Sequence, residues 1–176
     1  RFRAFAQFDA DIIGNVNEAQ ADAEICNIIS DTFLKSGLKK NQFTVNVSNR
    51  KIVQGIIADL NIKDEQQIKV IRTIDKLERI GLTGVEDLLK KERKDSSGAV
   101  TKGANLSDDQ ASQVIEFLKI KDLDKLKTYT KNPISIEGIQ EIEDLYEALS
   151  KGKFQDYVKT NFSIVRGLQY YSGFCV

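Results

Sequence analysis

The first thirteen residues alternate with a period of two, and this pattern limits the start of the chain more tightly than any other feature. Phe2, Ala4, Ala6, Phe8, Ala10 and Ile12 make an apolar row, with Arg1, Arg3, Phe5, Gln7, Asp9 and Asp11 between them. Successive side chains leave a strand on opposite sides, so the spacing predicts a strand with one face on a core. Gly14 and Asn15 then predict a turn. A helix is predicted from about Ala21 to Ser36, with Ile25, Ile28, Ile29 and Thr32 on one stripe and Gly37 as its stop. Phe43 to Val47 alternates again and predicts a second strand. Asn49 is placed to cap a further helix carrying Ile52, Val53, Ile56, Ile57 and Leu60.

From about Ile62 to Gly152 the texture changes to charged helical segments without a convincing strand. Ile68, Ile71, Ile74 and Leu77 recur at near-helical spacing before Gly81. Thr83 to Glu86 and Ser107 to Gln110 each fit a capping box and so predict two helix starts. Ala111, Val114, Ile115 and Leu118 form one apolar stripe; Ile139, Ile142, Tyr146 and Leu149 form another. Lys94 to Asn105 is the best loop candidate, and Pro133 interrupts the chain again. Strand character returns over Phe154 to Val176, where Gly167 and Gly173 punctuate an aromatic run. The expected organisation is a mixed part over 1–61, an inserted all-helical lobe over 62–152, and a return to the mixed part over 153–176.

Composition narrows the chemistry. Lys+Arg and Asp+Glu both number 26, so no global basic field draws nucleic acid, and any such contact needs a local patch. DNA is therefore not an expected partner. No apolar run approaches the roughly 18–20 residues of a membrane helix, and no signal peptide is visible. Cys26 and Cys175 form no CxxC pair, which fits a reducing, cytoplasmic compartment. Histidine is absent, which removes the usual general base, the Ser-His-Asp triad and His-based metal sites. Methionine is absent too, and Arg1 stands in what reads as mid-strand, so the chain is expected to be an internal piece of a longer protein.

Two groups of residues carry the chemistry. On the polar row of the first segment, Arg1 and Arg3 suit phosphate oxygens, because a guanidinium fork stays charged and binds two oxygens at once. Phe5 offers a ring face for a flat base, while Gln7 and Asp11 suit a small ligand with an amine or imidazole N–H. On alternation alone the same row reads first as a solvated outer face. Near the end, Arg166 beside Gly167, followed by Tyr170 and Tyr171, suits an anion site with amphipathic walls; a strand end with two half-buried tyrosines is the plain alternative.

These segments carry a resemblance. Arg1 to Gly14 (RFRAFAQFDADIIG), followed by ADAE at Ala21 to Glu24, resembles the second half of motif 2 of histidyl-tRNA synthetases. VNVSNRKIVQGII resembles that family's next strand and helix, IRTIDKLERIG its helix with Asp-Lys-Leu, and IVRGLQYYSG its histidine-specific signature RGLDYYTG. The segments occur in the family's order, with a helical stretch where the family carries an insertion domain, and they span essentially the whole chain.

The resemblance implies an α+β fold: a partial class II synthetase domain, an antiparallel sheet with flanking helices, plus an inserted helical lobe. It implies a ligase that activates histidine with Mg2+-bound ATP to histidyl-adenylate and passes the histidyl group to tRNA(His), in a homodimeric parent. By motif position, Phe5 stacks on adenine, Gln7 meets the histidine amino group, and Asp11 reads the imidazole. Arg166 contacts the α-phosphate in a role other class II enzymes give to a metal ion, with no metal-binding motif in the chain. Tyr170 and Tyr171 line the histidine pocket, and Arg1 and Arg3 lie near the phosphates or the tRNA end. The helical lobe touches the tRNA acceptor arm, with Lys90, Lys91, Arg93 and Lys94 as candidate contacts; solvated helices are the plain alternative for that cluster. Gln169 stands where the family has Asp, and Ser172 where it has Thr. Motif 1, the upstream motif 2 arginine, motif 3 and the anticodon-binding domain fall outside the sequence, so the chain alone is expected to be inactive. The other family expectation is a non-catalytic relative that supports the ATP phosphoribosyltransferase of histidine biosynthesis.

Overall fold

The computed structural model describes residues 4–94, 98, 100–165 and 173–176. Helices dominate, and their ends follow local chemistry. Asn17 begins α1 (Glu18–Lys35) by accepting a hydrogen bond from the Gln20 amide at 3.0 Å. Asn49 ends β1 (Val45–Asn49) and caps α2 (Arg50–Asp59), its side-chain oxygen accepting from the Lys51 amide at 2.9 Å. α3 (Asp64–Ile74) leads into α4 (Leu77–Lys90), which is kinked at Gly81, where φ is 69°. A left-handed residue breaks the helical path at low cost only as glycine. The helix start expected at Thr83 is thus the restart of α4 after that kink.

A short hairpin, β2 (Arg93–Lys94) with β3 (Val100–Thr101), occupies part of the expected loop. Its ladder is two residues long, too short for sequence periodicity to reveal. Ser107 then opens α5 (Asp108–Lys119) with a complete capping box: Gln110 N donates to the Ser107 hydroxyl, and Ser107 N donates to the Gln110 side chain. α6 (Leu123–Tyr129) is short, and α7 (Pro133–Ser150) starts with proline in its first turn behind an Asn132 cap.

α7 is the central element and packs on α1, α2 and β1. Its crossing with α2 is close because the interface is made of small residues. A Cβ added to Gly55 would meet the Ser135 hydroxyl at 2.2 Å, and the real Ser135 hydroxyl donates to the Ile52 carbonyl at 2.9 Å. One core runs from Ile52, Val53, Ile56 and Ile57 of α2 through α3, α4 and α5 to Ile139 and Ile142 of α7. A second joins Ala23 and Cys26 of α1 to Val45, Val47, Leu145, Leu149 and Val158, with Tyr146 and Phe174 packed against both.

The larger sheet is mixed. β1 lies between β4 (Val158–Thr160), which is parallel to it, and β5 (Phe174–Cys175), which is antiparallel. The parallel pair follows from the long helical crossover between β1 and β4, since parallel neighbours cannot be joined by a tight turn. Around it, strand expectations shift: the second strand lies at Val45–Asn49, and Phe162 to Val165 form a turn whose Phe162 and Val165 are buried. No helix among the described residues is long and apolar enough to cross a membrane.

Two expectations fail at the start of the chain. Residues 4–13 belong to no helix or strand and are exposed, and no described strand pairs with them; Phe8 is 71% and Ile13 95% exposed. Alternation selects a face, but a strand also needs a backbone neighbour for its N–H and C=O groups. On α1, the buried residues are Ala23, Cys26 and Ser30, while Ile25, Ile28, Ile29 and Thr32 are half-buried. Small residues let α7 approach closely, so they take the core side of the helix.

Candidate active site

Segments far apart in sequence meet at the junction of β1 and α2. Gly173, last residue of the glycine-bounded signature, accepts a hydrogen bond from the Arg50 amide at 2.8 Å. Phe174 pairs with Asn49 across the antiparallel ladder. The ADAE segment lies on α1 and brings Asp22 to the same place. A cavity of about 620 Å³ opens there, lined by Glu18, Asp22, Lys51, Glu141, Asp144 and Gly173 among others.

Its electrostatics are set by one lysine among carboxylates. The Lys51 ammonium pairs with Glu137 at 2.7 Å and with Glu141, and these hydrogen bonds hold its pKa above the ordinary lysine value. Glu141 also accepts from the Asn49 amide group. Asp22 pairs with no cation among the described residues: burial, then the nearby Glu18 and Glu141, push its pKa up to about 6. Asp22 therefore gains or loses its charge around pH 6 rather than in the ordinary carboxylate range.

Of the residues expected to act, Arg1, Arg3, Arg166, Tyr170 and Tyr171 lie outside the described residues. Phe5, Gln7 and Asp11 are exposed, Phe5 by 79%. Their segment continues past α1, where Phe8, Asp9 and Ala10 help line a mostly apolar cavity of about 320 Å³ with Ile25, Ile28, Ile29, Thr32 and Phe33. Sequence reasoning missed Asp22, Lys51 and Glu141. Asp22 and Lys51 lie inside the family-like segments, where helical spacing marks them only as helix positions; Glu141 carries no local signal.

The basic cluster divides in two. Lys90 is held by Glu86 at 2.9 Å and Asp108 at 3.0 Å, which spends its charge within the fold. Lys91 is exposed. Arg93 is half-buried against Gly84, where an added Cβ would come within 3.1 Å of the guanidinium carbon. Arg93 and Lys94 share a cavity of about 380 Å³ with Lys76 and Arg79 from the Asp-Lys-Leu segment. None of these four cations enters an ion pair between described residues. Such a set of unneutralised cations attracts anions, phosphate oxygens above all. Lys76 and Arg79 had not been singled out, although their spacing of three places them on one side of a helical turn.

Comparison with known proteins fits this arrangement. The family model described as histidyl-tRNA synthetase matches residues 1–176. The histidine–tRNA ligase of Pelagibacter ubique (strain HTCC1062) is 66% identical over 178 aligned residues, covering all of this chain and 38% of that protein. The chain thus spans well under half the length of its relatives. Among solved structures, histidyl-tRNA synthetase from Nostoc sp. PCC 7120 superposes with a TM-score of 0.72 at 27% identity, over 90% of this chain and 36% of the other. A Bacillus halodurans C structure titled as an ATP phosphoribosyltransferase regulatory subunit/histidyl-tRNA synthetase gives a TM-score of 0.69 at 17% identity, over 90% of this chain and 38% of that one. At that identity the likeness concerns the fold alone.

Proposed function

Because the chain belongs to the histidyl-tRNA synthetase family, we propose that it forms part of the histidine-activating centre of a histidine–tRNA ligase. The observation that carries this reading is the 66% identity to a protein of that name across the whole chain. The docking of Gly173 beside Asn49 and the ADAE helix supports it, since it gathers the family-like segments around one cavity.

In this reading, a histidine carboxylate oxygen attacks the α-phosphorus of Mg2+-bound ATP. The bond to the β-phosphate bridging oxygen breaks, and pyrophosphate leaves. Charge grows on the α-phosphate oxygens, where Arg166 stabilises it without any general base, so a chain with no histidine residue loses nothing. Arg1 and Arg3 serve the outer phosphates or the tRNA end, and Phe5 stacks on adenine. Gln7 holds the amino group, Asp11 reads the imidazole, and Tyr170 and Tyr171 wall the histidine pocket. A wrong amino acid leaves these polar groups unpaired, which is how such a site discriminates.

Residues 1–61 and 153–176 belong to the catalytic domain in this reading and 62–152 to the insertion, with α7 as the helix that docks the insertion on α1 and α2. Arg93 and Lys94, with exposed Lys91, are the stronger tRNA(His) contacts of the lobe, and Lys90 is the weaker because acids already hold it. The parent works in the cytoplasm as a homodimer. The regulatory-subunit reading has only the shared fold behind it.

The test is histidine-dependent ATP–pyrophosphate exchange by the full-length protein and its Arg166→Ala variant. Exchange with histidine only, lowered by about 10²–10³-fold in the variant, is the expected result. A folded parent without exchange overturns the ligase reading in favour of the regulatory one. The 176-residue chain alone should show no exchange.

A further inference from the structure

Beside Gly173, a carboxylate of α7 joins β1 to α2. Glu141 divides its two carboxylate oxygens: one accepts from the Asn49 side-chain amide, the other meets the Lys51 ammonium. Asn49 is fully buried and uses both ends of its side chain, because its oxygen already caps α2. Its backbone pairs with Phe174, and the next amide, from Arg50, holds the Gly173 carbonyl. A Cβ at Gly173 would lie 3.6 Å from the same Glu141 oxygen that Asn49 uses. One carboxylate therefore bonds to both β1 and α2 and stands beside Gly173.

The fold has little need of that carboxylate. α7 is already seated by buried Ile139, Ile142, Leu145 and Leu149, and by the Gly55–Ser135 crossing. A half-buried ion pair contributes little net stability, because desolvation offsets most of the attraction. Glu141 also stands close enough to Asp22 to disfavour its ionisation. A carboxylate bonded to the buried Asn49 beside a cavity, where apolar packing alone would hold the helix, suits a role in placing backbone rather than in holding it together.

We infer that Glu141, acting through Asn49, is a positioning residue that fixes Gly173 and hence the end of the histidine-specific signature, so that it governs histidine binding more than ATP binding. The inference rests on the ligase reading above. Glu141 touches no substrate in this scheme; its effect is transmitted by the Asn49–Phe174 pair and the Gly173 carbonyl.

The experiment is ATP–pyrophosphate exchange by the full-length protein, with KM measured separately for histidine and ATP. Glu141→Ala should raise the histidine KM about tenfold or more and leave the ATP KM within about twofold, the scale expected when a binding group is displaced by a fraction of an ångström. Glu141→Gln keeps an acceptor for Asn49 and should fall between wild type and Ala. Asn49→Ser keeps the α2 cap but removes the amide donor, so it should reproduce the histidine effect even if Glu141→Ala does not fold. An unchanged histidine KM in a folded Glu141→Ala or Asn49→Ser variant overturns the inference. So does an equal loss for both substrates that tracks a fall in melting temperature. A wild-type parent without histidine-dependent exchange overturns the ligase reading itself, and this role with it.

Discussion

Two phenylalanines show how differently the chain treats similar side chains. Phe117, on α5, is 1% exposed and sits within the helical core; Phe8, in the segment before α1 that joins no helix or strand, is 71% exposed. Both belong to regular apolar patterns. The difference lies in the backbone. A helix satisfies its amides within four residues, so an apolar stripe needs only side chains to pack against. An extended segment leaves every amide and carbonyl waiting for a neighbouring strand, and no described strand lies beside residues 4–13.

The contrast can be broken by substitution. Phe117→Ala should destabilise the chain by about 3–5 kcal/mol, since removing a buried ring leaves both lost burial and a cavity. Urea unfolding measures this; a loss below about 1 kcal/mol would mean that the helical core collapses readily around the gap. Asp22→Asn tests the border between the two regions. The folded pKa of about 6 lies above the ordinary 3.8, so the folded state keeps a proton that the unfolded state loses between these values. Stability from this group is therefore present at low pH and is lost as pH rises through about 6. Asparagine should raise stability at pH 8 by about 1 kcal/mol after allowance for the half-exposed setting, or about 2–4 °C in Tm, and by little at pH 4. Equal shifts at both pH values would refute the protonation account. Phe8→Ala should change stability least, by under about 0.5 kcal/mol. A larger loss in the same urea experiment would show that residues 8–10 seal the groove on α1 more firmly than their exposure implies.

Much of the helical part was legible in the sequence. Ser107 and Gln110 stand three apart and form their capping box, Asn49 caps α2, and Ala111, Val114, Ile115 and Leu118 are all buried. The four family-like segments were legible as well, because each is a run of adjacent residues. α1 was readable as a helix but not in its orientation, since the small Ala23 and Cys26 are its buried apolar residues while Ile25, Ile28 and Ile29 are only half-buried. The candidate site was legible only in part: Gln7, Asp11 and Phe5 could be named from their parity, but Glu141 could not. It lies 92 residues from Asn49, and no local pattern marks it.

Sequence alone therefore determined much of what forms through contacts a few residues long: most of the helices, the caps at Asn49 and Ser107, the breaks at Gly37, Gly81 and Pro133, and the family to which the segments belong. Tertiary structure decided strand pairing, the core side of α1, the pairing of Lys90 with Glu86 and Asp108, and the meeting of Asp22, Lys51, Glu141 and Gly173. The reason is range. Helical hydrogen bonds and caps close over three or four residues, whereas ladders and sites close over many tens, and their partners are chosen only when the whole chain packs.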